Sequence, residues 1–329
     1  MKHYNIPIFI PELACPNRCI YCNQRHISGQ LEAVPTEKVV KIIEEHLSTF
    51  KYPCEVEVAF FGGNFTGIEM ELQKSYLDVV QPYIKSGRVG SIRISTRPDY
   101  ISDDILEQLK KYNVGTIELG AQSLSDKVLE FAERGHGVKD VENASKKIID
   151  KGFDLGLQMM IGLPLDTIEQ SKETARKIMA LGAKCTRIYP ALVINHTKLA
   201  DMYERGEYEA LTIEQAVDWT AQIYKMFIEG GVTVLRVGLH PSEDLINGKE
   251  LLAGPFHVSF KELVLTRLWN EKLRNIPLNV KEIIVNPKDI NYAVGYNSKN
   301  KKELMSKIGN IRFSTNHTVK RDEFRLILH

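Results

Sequence analysis

With 329 residues, 43% of them hydrophobic and 26% charged, the chain has the size and composition of one large globular domain, or of one large and one small. A formal net charge of +1 excludes a global electrostatic bias toward nucleic acid or acidic membranes. No apolar run approaches the roughly 20 residues that cross a bilayer, and the opening MKHYNIPIFIPELAC lacks the pattern of a secretion signal, so a cytoplasmic protein without a membrane partner is expected.

Short apolar, β-branched runs at 6–10, 56–61, 91–95, 115–120, 153–162 and 186–194 read as strands. Helix-like stretches at 36–50, 102–113, 138–152 and 167–182 lie between them, and a further helix at 212–231 precedes a last apolar run at 232–239. Thr36 and Ser102 stand where a helix is capped, and Gly152 and Gly182 where one stops. Such alternation predicts an α/β fold, a parallel sheet covered by helices, as an open sheet or a partial barrel. In either, chemistry gathers at the C-terminal ends of the strands. The composition changes near 255, and from 271 to 329 there are 12 Lys and Arg against 6 Asp and Glu. We expect residues 1–255 to form the large domain and 256–329 a small basic α/β domain.

Five cysteines, an odd number with three inside eight residues, make a poor disulfide framework and a good metal pattern. CPNRCIYC sets Cys15, Cys19 and Cys22 at x3 and x2 spacing in the loop after the first strand. Three thiolates suit three corners of a [4Fe–4S] cubane and leave one iron open to a small chelating ligand. A structural zinc site with His26 as fourth ligand is the alternative. Cys54 and Cys185 border apolar runs and read as small buried residues, and Met159 and Met160 as core filler.

The CxxxCxxC spacing with Tyr21 before its last cysteine resembles the radical S-adenosylmethionine superfamily. Four further strand-end segments fall in the order that family has: FFGGN (60–64), STRPD (95–99), ELGAQSLSDKVLEFAERGH (118–136) and QMMIGLPLDT (158–167). The third resembles the Elongator catalytic-subunit group and oxygen-independent coproporphyrinogen III oxidase, and RIYPALVINHTKLADMYERGEYEALTIEQAV (187–217) resembles the Elongator group most. The resemblance covers roughly residues 3–255 and implies a partial (β/α)6 barrel of the TIM type. It implies a [4Fe–4S] cluster on Cys15, Cys19 and Cys22 and S-adenosylmethionine held by Tyr21, Gly62, Gly63, Ser95, Gln122, Arg134 and Gln158. Arg134 would meet the cofactor's carboxylate. An electron donor such as flavodoxin or ferredoxin would complete the system. Asn64 and Ser95 replace residues that are acidic in the family, and Asn195 and His196 replace a basic residue and glycine. The 74 residues after position 255 are too few for an acetyltransferase domain, so a stand-alone radical member of the Elongator-like branch is expected.

Three residues near the open mouth, His196, Arg236 and His240, are the candidate catalytic residues, because strand-end positions of barrels tend to be functional. In the basic segment, DINYAVGYNSKNKKELMSKIG resembles the Gly-rich turn of a KH-type RNA module, with Gly295 at the first glycine and Ser298 at the second. The bland alternative is a small cap over the barrel's open side. Three functions follow as expectations. The first is a radical enzyme acting on RNA, with tRNA reached through the C-terminal segment. The second is a radical enzyme acting on a small metabolite or porphyrin-like molecule. The third is a metal-bound sensor without turnover.

Overall fold

The computed structural model describes residues 2–10, 15, 19–22, 34–239 and 243–329. His26 and His240 lie outside the described residues. The first half runs β1 (Lys2–Ile10), α1 (Thr36–Thr49), β2 (Cys54–Gly62), α2 (Met70–Lys85), β3 (Ser91–Thr96), α3 (Asp103–Lys111), β4 (Val114–Gln122), α4 (Asp126–Phe131), α5 (Val138–Asp150), β5 (Asp154–Ile161) and α6 (Ile168–Ala180). It continues through β6 (Cys185–Pro190), β7 (Val193–Ile194), α7 (Lys198–Glu204), α8 (Ile213–Glu229), β8 (Thr233–Val237), α9 (Glu243–Ile246) and β9 (Leu251–Ala253). Last come α10 (Phe260–Leu273), β10 (Val280–Val285), α11 (Ile290–Val294), α12 (Lys299–Ile308), β11 (Arg312–Thr315) and β12 (Phe324–Leu328).

Seven strands form one parallel sheet in the order β1-β2-β3-β4-β5-β6-β8, curled into a half barrel with helices outside. Parallel neighbours need a crossover, which the intervening helices supply. Period-2 alternation sends Ile6, Ile8, Ile10, Val58, Phe60, Ile92, Ile94, Ile117 and Leu119 outward into one core shared with the helices, all fully buried or nearly so. Each such side chain stabilises the fold by about 1.5–3 kcal/mol relative to exposure.

Ser102 caps α3 by accepting from the Ile105 amide, and Gly152 and Gly182 follow α5 and α6 with φ of 81° and 80°. Thr36 is the first residue of α1 rather than its cap; Pro35 takes the cap position. The apolar run 186–194 divides into β6 and β7, because Pro190 ends the parallel ladder. β7 then pairs antiparallel with β9 in a separate two-stranded sheet.

After α10 the chain builds a second core from Trp269, Leu273, Val280, Ile283, Val285, Ala293, Leu304 and Ile311 under a three-stranded sheet of order β11-β10-β12. α10 serves both cores: Phe260 and Val264 belong to the first, Trp269 and Leu273 to the second.

Candidate active site

The cysteine segment returns to the strand ends through a tight turn in which the Cys22 amide donates to the Cys19 carbonyl at 2.9 Å. Backbone bonds pin the turn on both sides: the Ile20 amide donates to Ala132 O after α4, and the Leu199 amide in α7 donates to Ile20 O. Cys19 is buried, Cys15 and Cys22 are half-buried, and none of the three is in a disulfide. Among the described residues no three His, Cys, Asp or Glu side chains are gathered closely enough to hold a metal ion in this structure.

Arg134 lies directly beside this turn. Its Nη1 donates to Cys19 Sγ at 3.2 Å and its Nη2 to Gly120 O at 2.8 Å, while the buried Nε has no hydrogen-bond partner among the described residues. The side chain is almost wholly buried and makes no ion pair with a carboxylate among the described residues. Burial opposes its charge, but the Tyr21 phenol and the Cys19 and Cys22 thiols outweigh that, and its pKa rises. Burial pushes the Tyr21 phenol far up, and its hydroxyl, like Gln122 Oε1 and Arg97 Nη1, is buried without a hydrogen-bond partner among the described residues. A buried polar atom left unpaired costs about 1–3 kcal/mol, so the Arg134 Nε and three such atoms on its neighbours mark a place built for a polar group, with the guanidinium itself suited to an anionic part of it.

The backbone makes room for these side chains. A Cβ at Gly120 would lie 3.0 Å from Gln122 Nε2 and 3.4 Å from Arg134 Nη2. Gly62 has φ +112°, and a Cβ there would meet Phe9 Cε2 at 2.5 Å and Ile10 O at 2.7 Å. The Gly63 amide donates to Ile10 O at 2.8 Å. Gly62 and Gly63 therefore lock the end of β2 onto the end of β1, just before the cysteine segment. Asn64 is buried; its Oδ1 accepts from Thr96 Oγ1 at 2.6 Å and from the Arg97 amide, which ties β2 to β3.

Two residues inside the quoted motifs carry more than the sequence reading gave them. Arg97 forks onto Asp99 and donates to Arg134 O at 2.8 Å, so it sets the backbone from which Arg134 projects. His136 is buried beside them, and burial, followed by the charges of Arg134 and Arg97, drives its pKa down to about 4.

Ser95 and Gln158 meet each other across the sheet. Gln158 Nε2 donates to Ser95 Oγ at 3.3 Å and to Glu118 Oε2 at 3.0 Å, which places both in the lumen. There a chain of charges crosses the barrel. Arg93 donates to Glu57 Oε2 at 2.8 and 3.0 Å and to Glu118 Oε1 at 3.1 Å, and Arg187 grips both oxygens of Glu118 at 2.6 and 2.9 Å. Burial pushes the Glu118 carboxyl up, yet Arg187 and Arg93 hold it below the usual carboxylate range. A low dielectric makes such pairs strong and makes any loss of one partner costly.

The candidate Arg236 is on β8, in register with Arg187, and its Nε donates to Gly238 O. His196 is exposed, with φ +60°, in the loop before α7, outside these buried groups.

Comparison with known proteins gives the site a context. A model described as "Radical SAM superfamily" matches residues 10–178, and one described as "Radical_SAM C-terminal domain" matches 183–270. A tRNA uridine(34) acetyltransferase of Methanocaldococcus infernus is 30% identical over 195 residues, which is 53% of this chain and 36% of that protein. An uncharacterised protein of Methanocaldococcus jannaschii is 30% identical over 228 residues, 66% of this chain and 69% of that protein. The solved archaeal Elp3 of M. infernus, with its N-terminus deleted, superposes with a TM-score of 0.67 at 22% identity, covering 85% of this chain and 66% of that one. The chain thus spans about a third of the acetyltransferase it matches.

Proposed function

The chain belongs to the radical SAM superfamily, and from that premise we propose an enzyme that uses a [4Fe–4S] cluster and S-adenosylmethionine to modify a nucleoside of an RNA, tRNA before others. The observation that carries the cofactor reading is Arg134: a buried guanidinium beside Cys19, without a carboxylate among the described residues and ringed by unpaired polar atoms. The residues present suit the group. Cys15, Cys19 and Cys22, none of them in a disulfide, would ligate the cluster, Arg134 would receive the carboxylate of S-adenosylmethionine, and Tyr21 and Gln122 would line it.

When bound, this pair supplies one-electron cleavage of the sulfonium and with it a carbon radical able to take a hydrogen atom from substrate. The chain's own residues do the rest. Arg97 and the Gly120 backbone hold Arg134 in place, and Asn64 and the Gly62–Gly63 turn hold the strand ends together. The cross-braced lumen keeps β2, β3, β4 and β6 at fixed spacing beneath, so that a substrate atom meets a rigid site.

RNA is favoured as substrate class by the named activity of the archaeal relatives and by the basic segment 271–329. An electron donor of the flavodoxin or ferredoxin kind belongs to the same proposal. The test is anaerobic reconstitution with iron and sulfide, then incubation with S-adenosylmethionine, dithionite and unfractionated tRNA. Release of 5′-deoxyadenosine, lost when any one of Cys15, Cys19 and Cys22 is changed to Ala, is the expected result. Fully ligated zinc in place of a cubane chromophore would sink it.

A further inference from the structure

We propose that Arg236 and Lys261 form an anion site at the edge of the half barrel, and that it takes a phosphate group of the substrate. The proposal rests on the reading of the lumen as the substrate chamber and adds to it a point of attachment.

The lumen charges show why an anion is called for. Across β2, β3, β4 and β6 they alternate and compensate: Glu57, Arg93, Glu118, Arg187. β8, the edge strand, sets Arg236 next to Arg187 in register, and no carboxylate among the described residues follows to pair with it. Its one hydrogen bond holds it by Nε to Gly238 O at 3.2 Å and leaves the two terminal nitrogens free of partners among the described residues.

Gly238 also brings in the second cation. It has φ +78°, and a Cβ there would lie 3.1 Å from Phe260 Cδ1, so α10 starts in close contact with the end of β8. Lys261 follows Phe260 in the first turn of α10 and has no hydrogen bond or ion pair among the described residues. A lysine in a first turn stands at the positive end of the helix dipole, where a cation is disfavoured. The neighbouring Arg321 does not need the same anion, because Asp289 already binds it at 2.7 Å.

The charge of Arg236 is felt at Lys261. Although Lys261 is exposed, partial desolvation where it packs at the start of α10, then Arg236, lowers its pKa; burial, against Tyr189 and with Arg187, lowers that of Arg236. Two uncompensated cations held together in this way are relieved by a dianion, and a guanidinium fork beside an ammonium matches a phosphate in shape and charge. Lys261 keeps solvent exposure, so the anion can arrive from outside while the attached base or sugar extends toward the lumen.

The phosphate can belong to a polynucleotide backbone or to a small phosphorylated molecule, and the experiment separates the two. The full-length protein at low ionic strength is titrated with inorganic pyrophosphate and, separately, with unfractionated tRNA. Arg236→Gln, Lys261→Gln, their combination and Lys261→Arg are compared with the unaltered chain. We expect pyrophosphate affinity to fall at least tenfold in the double variant and to be retained in Lys261→Arg. The slope of log affinity for tRNA against log salt should shrink by roughly 0.7 for each cation removed. Pyrophosphate binding that is absent from the unaltered chain, or as tight in the double variant, overturns the site. Pyrophosphate behaving as expected without any tRNA binding keeps the site, overturns RNA as substrate and leaves a small phosphorylated molecule as the source. Lys261 is at the surface, so its variants test the site even if Arg236→Gln misfolds.

Discussion

At the scale of single residues, two buried arginine systems predict opposite outcomes. Arg134 has no carboxylate partner among the described residues, so removing it strands no charge. Arg134→Ala should fold and assemble a cluster yet bind S-adenosylmethionine at least tenfold more weakly, which calorimetry on the reconstituted protein reads. Undiminished binding would refute the assignment of Arg134 to the cofactor. Glu118 is the reverse case: it is 1% exposed and shared by Arg93 and Arg187. Glu118→Gln leaves two guanidiniums without their common counter-charge and should cost roughly 3–5 kcal/mol in urea unfolding. A loss below about 1 kcal/mol would mean that the lumen rearranges around the change.

Elements were legible where they obey one period. The alternation of strands and helices, the cysteine turn and the strand-end motifs all stand in the sequence because apolar spacing and glycine positions are local facts. The lumen charges are equally visible, one in each of five runs: Glu57, Arg93, Glu118, Arg187, Arg236. All but Arg236 escape notice because a charged residue opposite an apolar face usually meets solvent, whereas in a curled sheet that face is the interior. Pro190 misled in another way, since a continuous apolar run hid a strand end. α2 carries Pro82 within it and did not stand out as a helix. The turn at 295–298 has a packing reason that sequence alone does not show. Gly295 has φ +84°, and a Cβ would lie 2.9 Å from Asn300 N and 3.0 Å from Thr266 Cγ2. The Tyr296 amide donates to Thr266 Oγ1, and Asn300 Nδ2 to Thr266 O, so the turn is fastened to α10. Gly295→Ala should cost about 2–3 kcal/mol, felt in the second core. Hydrogen exchange should quicken in β10–β12 while β2–β5 stay protected; unchanged exchange there would show that the glycine is dispensable.

For the molecule as a whole, two groups set opposing pH dependences of stability. His136 has a folded pKa near 4 against an ordinary 6.5, so between those values the unfolded chain binds a proton that the native one refuses. Stability from this group is full above 6.5 and is lost as pH falls toward 4. Asp166, in the loop between β5 and α6, accepts from the Gly162 and Thr167 amides and from Ser171 Oγ. Burial still lifts its pKa from 3.8 to about 6, against those hydrogen bonds. Here the native chain keeps a proton that the unfolded one sheds, so stability is full below 3.8 and is lost as pH rises through 6. The two slopes, each on the order of 3 kcal/mol over its window, largely cancel between pH 4 and 6. Removing one partner exposes the other. Relative to the unaltered chain, Asp166→Asn should gain stability with rising pH across that interval, and His136→Gln should lose it. Urea unfolding at pH 4.5, 5.5 and 6.5 distinguishes them. Curves that run parallel to the unaltered protein's would show that neither group titrates in the native fold as its burial demands.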